Sequence, residues 1–352
     1  MNVLSLFDGM SCGQLALERA NVSVDNYFAC EIDKYAMQIA NKNFPNTIQL
    51  GDVSELKTDG DTIEIDLLLG GSPCQGFSFA GEQLAFNDPR SKLFFEFIRI
   101  MNDLKPKYVL LENVRMKKQF EDVITEHMGF PPQLLNSSKV SAQNRWRNYW
   151  FGVRMNGKYY GIEIPPMEDK GLVLKDILQT DHDEPPVPIN ERNARHHKNP
   201  NQKALCTTAT MYKGAGNNGM TLVDRLIPVG QAEEYAHYNY RATKEVYHMN
   251  GKAPTLLTMQ GGNREPKVAT YSTDGGKIVD LEGMTWRKLT PVECERLQTL
   301  PDNYTEGVSK TQRYKMIGNG WTVDVIAHIL GEMLLPKKIK SINYEKGYFI
   351  HA

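Results

Sequence analysis

Pro73-Cys74-Gln75, inside GGSPCQGFSFAG, places a cysteine in a loop flanked by Gly and Pro, where a thiolate would be accessible as a nucleophile. The apolar run Leu67 to Leu69 ends before it. That position sets Cys74 apart from Cys12, Cys30, Cys206 and Cys294, which read as small buried apolar residues. Glu112, in Glu112-Asn113-Val114, also follows an apolar run. A carboxylic acid kept protonated in a cleft can donate to a ring nitrogen, although the same tripeptide suits an ordinary strand-end loop. In Gln143-Asn144-Arg145-Trp146-Arg147 the Gln and the two Arg alternate, which on an extended strand puts all three on one face. A solvated strand edge would carry the same pattern.

Positioning these groups requires a sheet. Short apolar runs at Asn2 to Leu6, Tyr27 to Cys30, Ile48 to Leu50, Ile65 to Leu69 and Tyr108 to Leu111 read as strands. Helical spacing occupies Gly13 to Ala20, Tyr35 to Asn43 and Leu93 to Met101. Such alternation predicts an α/β fold, a doubly wound and mostly parallel sheet. Asp8, Glu31, Asp52, Cys74 and Glu112 then fall at or just past the C-terminal ends of successive strands, the edge at which open α/β sheets bind ligands.

From about Val173 the pattern changes. Asp181 to Pro200 is rich in Pro, Asn, Asp and His, and short β-like runs broken by glycines follow. Residues 190–288 carry more Lys and Arg than Asp and Glu. Helical signals return at Pro291 to Leu297 and Val323 to Leu335. The reading is a first domain over 1–174, a smaller, irregular β-rich domain over 175–310, and a return to the first domain over 311–352. Gly214-Ala215-Gly216-Asn217-Asn218-Gly219 fits a dinucleotide-binding pattern, but a strand-like run follows it and no βαβ unit surrounds it.

Over 352 residues, 41 Lys+Arg against 42 Asp+Glu give a formal charge of −1, which excludes a generally polybasic protein. Hydrophobic residues at 41% allow a real core. Five cysteines without a C-x-x-C pair argue against a disulfide framework and a zinc ribbon, and no metal is expected. The absence of a long apolar run predicts a soluble, cytoplasmic protein without a membrane partner.

PCQ, ENV and Q-x-R-x-R, in that order, follow an F-x-G-x-x-x-G opening and precede Gly318-Asn319. With Glu31-Ile32-Asp33, Gly51-Asp52-Val53 and RKLTPVECERLQTLPDNY at 287–304, the chain resembles the C5-cytosine DNA methyltransferase family over nearly its whole length. The resemblance implies the S-adenosylmethionine-dependent methyltransferase fold with a target-recognition domain. It implies catalytic roles for Cys74, Glu112, Arg145 and Arg147: Cys74 adds to C6 of cytosine, Glu112 bonds N3 and the exocyclic amine, Arg147 holds O2 and Arg145 supports the loop. It implies that S-adenosylmethionine lies against Phe7, Asp8, Gly9, Gly13, Glu31, Ile32, Asp52, Val53, Pro73, Asn319 and Trp321, with S-adenosylhomocysteine as product. Gln75, Ser78, Asn113, Gln143, Thr255, Gly261 and Gly262 are the expected contacts to duplex DNA, whose target cytosine must be flipped out of the stack. A monomer is expected, with a cognate restriction enzyme in the same bacterial or phage-infected host.

Some residues depart from the family pattern. Cys12 stands where many members have Gly, and Gly320-Trp321 follows Gly318-Asn319 where most bacterial members have Ser. VSAQNRWRNYW and GNGWTVDVI look closer to the animal de novo enzymes and some phage enzymes. The alternatives are the same chemistry on transfer RNA, a catalytically silent DNA-binding homologue, and an NAD oxidoreductase. An NAD enzyme would use an acid like Glu31 but offers no role for Cys74.

Overall fold

The computed structural model describes residues 1–58, 64–72, 92–179, 187–188, 228–231, 245–248, 252, 267–270, 273–274, 277–278, 285–334, 339–343 and 348–351. In chain order the strands are β1 (Asn2–Leu6), β2 (Asn26–Cys30), β3 (Ile48–Gln49), β4 (Leu67–Gly71), β5 (Tyr108–Val114), β6 (Gln133–Asn136), β7 (Trp146–Met155) and β8 (Lys158–Ile162). Seven short strands follow, from β9 (Val187–Pro188) through β10 (Pro228–Gln231), β11 (Glu245–His248), β12 (Lys267–Thr270), β13 (Thr273–Asp274) and β14 (Lys277–Ile278) to β15 (Thr285–Lys288). The last pair is β16 (Ile339–Asn343) and β17 (Tyr348–His351). The α-helices are α1 (Cys12–Arg19), α2 (Lys34–Asn43), α3 (Lys92–Leu104), α4 (Lys118–Met128), α5 (Pro291–Leu297), α6 (Lys310–Asn319) and α7 (Val323–Leu334).

The chain divides into two compact units. One comprises Met1–Asn136, Trp146–Met167 and Val323–Ala352; the other comprises Ser137–Arg145 and Glu168–Thr322.

In the first unit the sheet order is β3-β2-β1-β4-β5-β7-β8-β17-β16, with β6 paired to β7. The β3-β2-β1-β4-β5 portion is parallel, and β7 runs antiparallel to β5. The chain moves outward from β1 to β3, then returns to lay β4 on the other side of β1. That reversal is a topological switch point, where the loops after adjacent strands diverge and leave a crevice.

Both faces of the sheet are buried. Leu4, Leu6, Leu68, Val109 and Leu111 join a core with Phe94, Phe97, Ile98 and Met101 of α3 and with Phe120 and Ile124 of α4. Those α3 positions fall at the i, i+3, i+4, i+7 spacing that makes one helical face. Val3, Leu67, Leu69 and Leu110 point the other way and are fully buried too. The terminal helix α7 packs on α1, with Arg19 paired to Asp324 at 2.6 Å.

The expected strands and helices of the first domain are present, with β4 at Leu67–Gly71 where Ile65 to Leu69 was expected and with two further differences. The first is β5, which does not stop at Leu111: Glu112, Asn113 and Val114 continue it because β7 supplies partners in register, Tyr149, Asn148 and Arg147. The second is that Gln143, Arg145 and Arg147 do not share one strand, since β7 begins at Trp146. The backbone before it turns, closed by Ser137 N–H donating to Arg145 O at 3.1 Å.

The second unit holds, among its described residues, a five-stranded sheet β10-β11-β12-β15-β9, the β13-β14 pair, and helices α5 and α6. Thr290 starts α5 with a capping box, its hydroxyl accepting from Glu293 N–H while Glu293 accepts from Thr290 N–H. Helix α6 was not read from the sequence, although Ser309 and Gln312 carry a helix-start spacing and Ser309 does cap it.

Gly70 shows how closely α3 seats on the sheet, because a Cβ there would lie 2.7 Å from the Phe97 ring. Gly70→Ala is expected to overpack this contact and cost about 1–3 kcal/mol, read as a lowered denaturant midpoint.

Candidate active site

The loop leaving β1 is the tightest piece of backbone at the parallel edge. Phe7, Gly9 and Ser11 all have positive φ, at 59°, 61° and 64°. Asp8 N–H donates to Cys30 O at 3.1 Å, and Ser11 N–H donates back to Asp8 O at 3.2 Å. The Asp8 carboxylate turns inward and is buried, accepting from the Tyr27 hydroxyl at 2.7 Å and the Ser11 hydroxyl at 2.5 Å. Burial pushes this carboxyl above its ordinary value; hydrogen bonds from Ser11, Tyr27 and Ser5 pull against that, and the Glu31 charge adds to it. Gly13 lies one residue inside α1 and is buried.

The end of β2 faces this loop. Glu31 accepts from Gly9 N–H at 2.7 Å through one oxygen, and from Ile32 and Asp33 N–H, both at 2.8 Å, through the other. Its carboxylate is therefore fixed by three backbone donors. Asp33 caps α2, while the Ile32 side chain stands 73% exposed. A large apolar side chain left in water beside an anchored carboxylate fits a flat apolar ligand carrying a polar arm. After β3, Asp52 caps a short turn; the Ser54 backbone N–H and then its hydroxyl hold the Asp52 carboxyl below its ordinary value. Val53 is buried in the core beneath.

On β5, Glu112 lies opposite Tyr149 and Arg147 lies opposite Val114, so Glu112 and Arg147 are diagonal neighbours on one sheet face. Arg147 Nε reaches Glu112 Oε1 at 3.0 Å, with both side chains mostly buried, and Arg147 Nη1 donates to Trp146 O. Asn113 points the opposite way. This expected DNA contact is buried, with its Nδ2 donating to Ser72 Oγ at 3.0 Å. It thus pins the last described residue before the Pro73-Cys74 segment.

The remaining described residues belong to the second unit. Gln143, also expected at DNA, has no exposed surface and donates to Leu297 O at 3.1 Å. Arg145 donates to Gly320 O at 3.0 Å and Gly318 O at 3.4 Å, holding the turn after α6. In that turn Asn319 is exposed and Trp321 half-buried. Gln298, missed in the sequence, knits the same region: its amide donates to Ile317 O and Gly320 O, and its oxygen accepts from Thr322 and Gln143. Lys252 was missed too, and no sequence pattern marks it. Its ammonium donates to Ser138 O at 2.8 Å, Ser141 O at 3.1 Å and Leu172 O.

Pro73, Cys74, Gln75, Ser78, Thr255, Gly261, Gly262 and the glycines of 214–219 lie outside the described residues. Of the described cysteines, Cys12, Cys30 and Cys294 are buried. Burial, then the charges of Asp8 and Asp52, push the Cys30 thiol up to about 12, which removes it as a nucleophile.

The architecture is the S-adenosylmethionine-dependent methyltransferase fold. It matches Dnmt2 of S. pombe (TM-score 0.62, 17% identity, 95% of this chain and 98% of that one). It also matches the Entamoeba histolytica methyltransferase EhMeth (TM-score 0.65, 16% identity, 95% and 97%). Sequence narrows the class: residues 1–335 match the C-5 cytosine-specific DNA methylase family, and the chain belongs to it. Relatives include the type II methyltransferases M.FnuDI of Fusobacterium nucleatum, 30% identical over 99% of this chain and 100% of that protein, and M.HhaI of Haemophilus parahaemolyticus, 29% identical over 94% and 93%. It is accordingly an enzyme, a DNA (cytosine-5-)-methyltransferase.

Lys252→Met keeps the stem and removes the ammonium, leaving three carbonyls without that donor. A loss of roughly 1–3 kcal/mol is expected, read as a lowered thermal midpoint.

Proposed function

We propose that the enzyme methylates C5 of a cytosine flipped out of duplex DNA, through a bond between the Cys74 sulfur and C6. The observation that carries this reading is the Glu112–Arg147 pair: the acid lies on β5, next to the strand that leads to Cys74, and the guanidinium reaches it from β7 on the other side. Cytosine C5 is too weak a nucleophile to take a methyl group unaided. Addition of the Cys74 thiolate at C6 forms a C–S bond and makes C5 electron-rich. Glu112 bonds N3 and the exocyclic amine as negative charge develops, and Arg147 bonds O2. After C5 is methylated its proton leaves to a base, the C–S bond breaks, and the thiolate is restored. Arg145 takes a supporting part through its hold on Gly318 and Gly320.

When bound, S-adenosylmethionine supplies a methyl group on a positively charged sulfur. Glu31, oriented by three N–H donors, accepts from the ribose hydroxyls. Ile32 packs on adenine, with Asp52 and Val53 at its edge, and the Phe7–Gly9 backbone approaches the remainder. Pro73 completes the proposed set. The exposed Ile32 beside a fixed carboxylate supports the assignment. Residues 175–310 serve as the target-recognition module, with Thr255, Gly261 and Gly262 as base or phosphate contacts.

Expression in methylation-deficient cells followed by base-resolution cytosine-methylation sequencing is expected to reveal one methylated sequence context. Cys74→Ser is expected to erase it, a loss of at least about 1000-fold. Unmodified DNA from folded protein that binds S-adenosylmethionine would overturn the reading, and methylated transfer RNA in the same cells would redirect it to RNA.

A further inference from the structure

We infer that Tyr27 is a positioning residue for the cofactor loop, acting on Phe7–Ser11 through the buried carboxylate of Asp8. This rests on the proposed cofactor role of that loop.

Two non-glycine residues in the loop, Phe7 at φ 59° and Ser11 at φ 64°, occupy the left-handed region and bracket Asp8. Such conformations persist only where surrounding contacts over-determine them. The Asp8 side chain provides those contacts. One oxygen takes the Ser11 hydroxyl within the loop, and the other takes the Tyr27 hydroxyl at 2.7 Å from the neighbouring strand β2. Tyr27 is 4% exposed and Asp8 8%. The phenol therefore works from beneath the loop and acts on a ligand only through Asp8. A second tie, Gly9 N–H to Glu31 at 2.7 Å, joins the loop to the carboxylate assigned to the ribose. Releasing Tyr27 would leave the buried carboxylate with the Ser11 and Ser5 hydroxyls alone, and burial already pushes that carboxyl toward protonation. A protonated Asp8 would rearrange its bonds, and the loop backbone would lose its single shape before a ligand arrives. The cost should fall on cofactor affinity, since preorganisation is lost while the reacting groups Cys74, Glu112 and Arg147 are untouched.

Tyr27→Phe preserves the buried ring and removes only the hydroxyl. Titration of S-adenosylhomocysteine by calorimetry is expected to give a Kd roughly tenfold weaker than wild type. The KM for S-adenosylmethionine should rise in parallel, while kcat at saturation and DNA affinity change by less than about twofold. Asp8→Asn should show at least as large a loss, and the double variant should be no weaker than Asp8→Asn alone, because Tyr27 acts only through its bond to Asp8. An unchanged Kd in either variant, a fully additive double variant, or kcat and DNA affinity falling together with Kd would overturn the role of Tyr27. Should Tyr27→Phe not fold, Tyr27→Leu decides by the same Kd. Failure of the wild-type protein itself to bind S-adenosylhomocysteine would instead overturn the cofactor reading on which the inference rests.

Discussion

Parallel pairing of β1 with both β2 and β4 is the constraint from which the rest of the first unit follows. Leu6 lies opposite Cys30 on one side and Gly70 on the other, so three chains leave the sheet at the same level. The loop at Asp8, the corner at Glu31 and Ser72 after β4 must all lie along one edge. β5 joins in the same direction, with Gly71 opposite Glu112, and adds the acid to that edge. Parallel strands require covered faces, which explains why so much of the first unit is spent on α1, α3, α4 and α7.

Along this edge the acids and Asn113 are each held by hydrogen bonds or an ion pair. Glu31 has three backbone donors, Asp8 the Ser11, Tyr27 and Ser5 hydroxyls, and Asn113 the Ser72 hydroxyl. Glu112 and Arg147 compensate each other's charge at 3.0 Å. In the second unit Glu295 is held in the same way. Glu295, with no exposed surface, accepts from Asn303 and Thr305 N–H and from the Arg313 guanidinium. Truncating one member of such a set leaves the others desolvated and unpaired, so these residues act as groups.

How far the sequence could be read depended on how local the signal was. Period and strand-end polarity were enough for the elements from β1 to β5, because each is a short apolar run closed by Gly, Asp or Glu. The extension of β5 through Val114 was not legible, since β7, its partner in register, lies more than thirty residues on. The same applies to Asn113 and Gln143, for which the resemblance implied DNA contact and whose bonds to Ser72 and Leu297 depend on distant chain. Tyr27 gave no signal of its own; a Tyr in a strand reads as core until Asp8 is seen beneath the β1 loop. Helix α6 could have been found from Ser309 and Gln312.

The covalent step is tested most directly with duplex DNA carrying 5-fluorocytosine at the methylated position. Fluorine cannot leave C5 as a proton does, so elimination stalls after methyl transfer. Incubation with S-adenosylmethionine followed by denaturing electrophoresis and peptide mass spectrometry should give a protein–DNA adduct on Cys74 that Cys74→Ser does not form. Methylation of the normal duplex without any trapped adduct on the fluorinated one, or an adduct at another residue, would contradict the account.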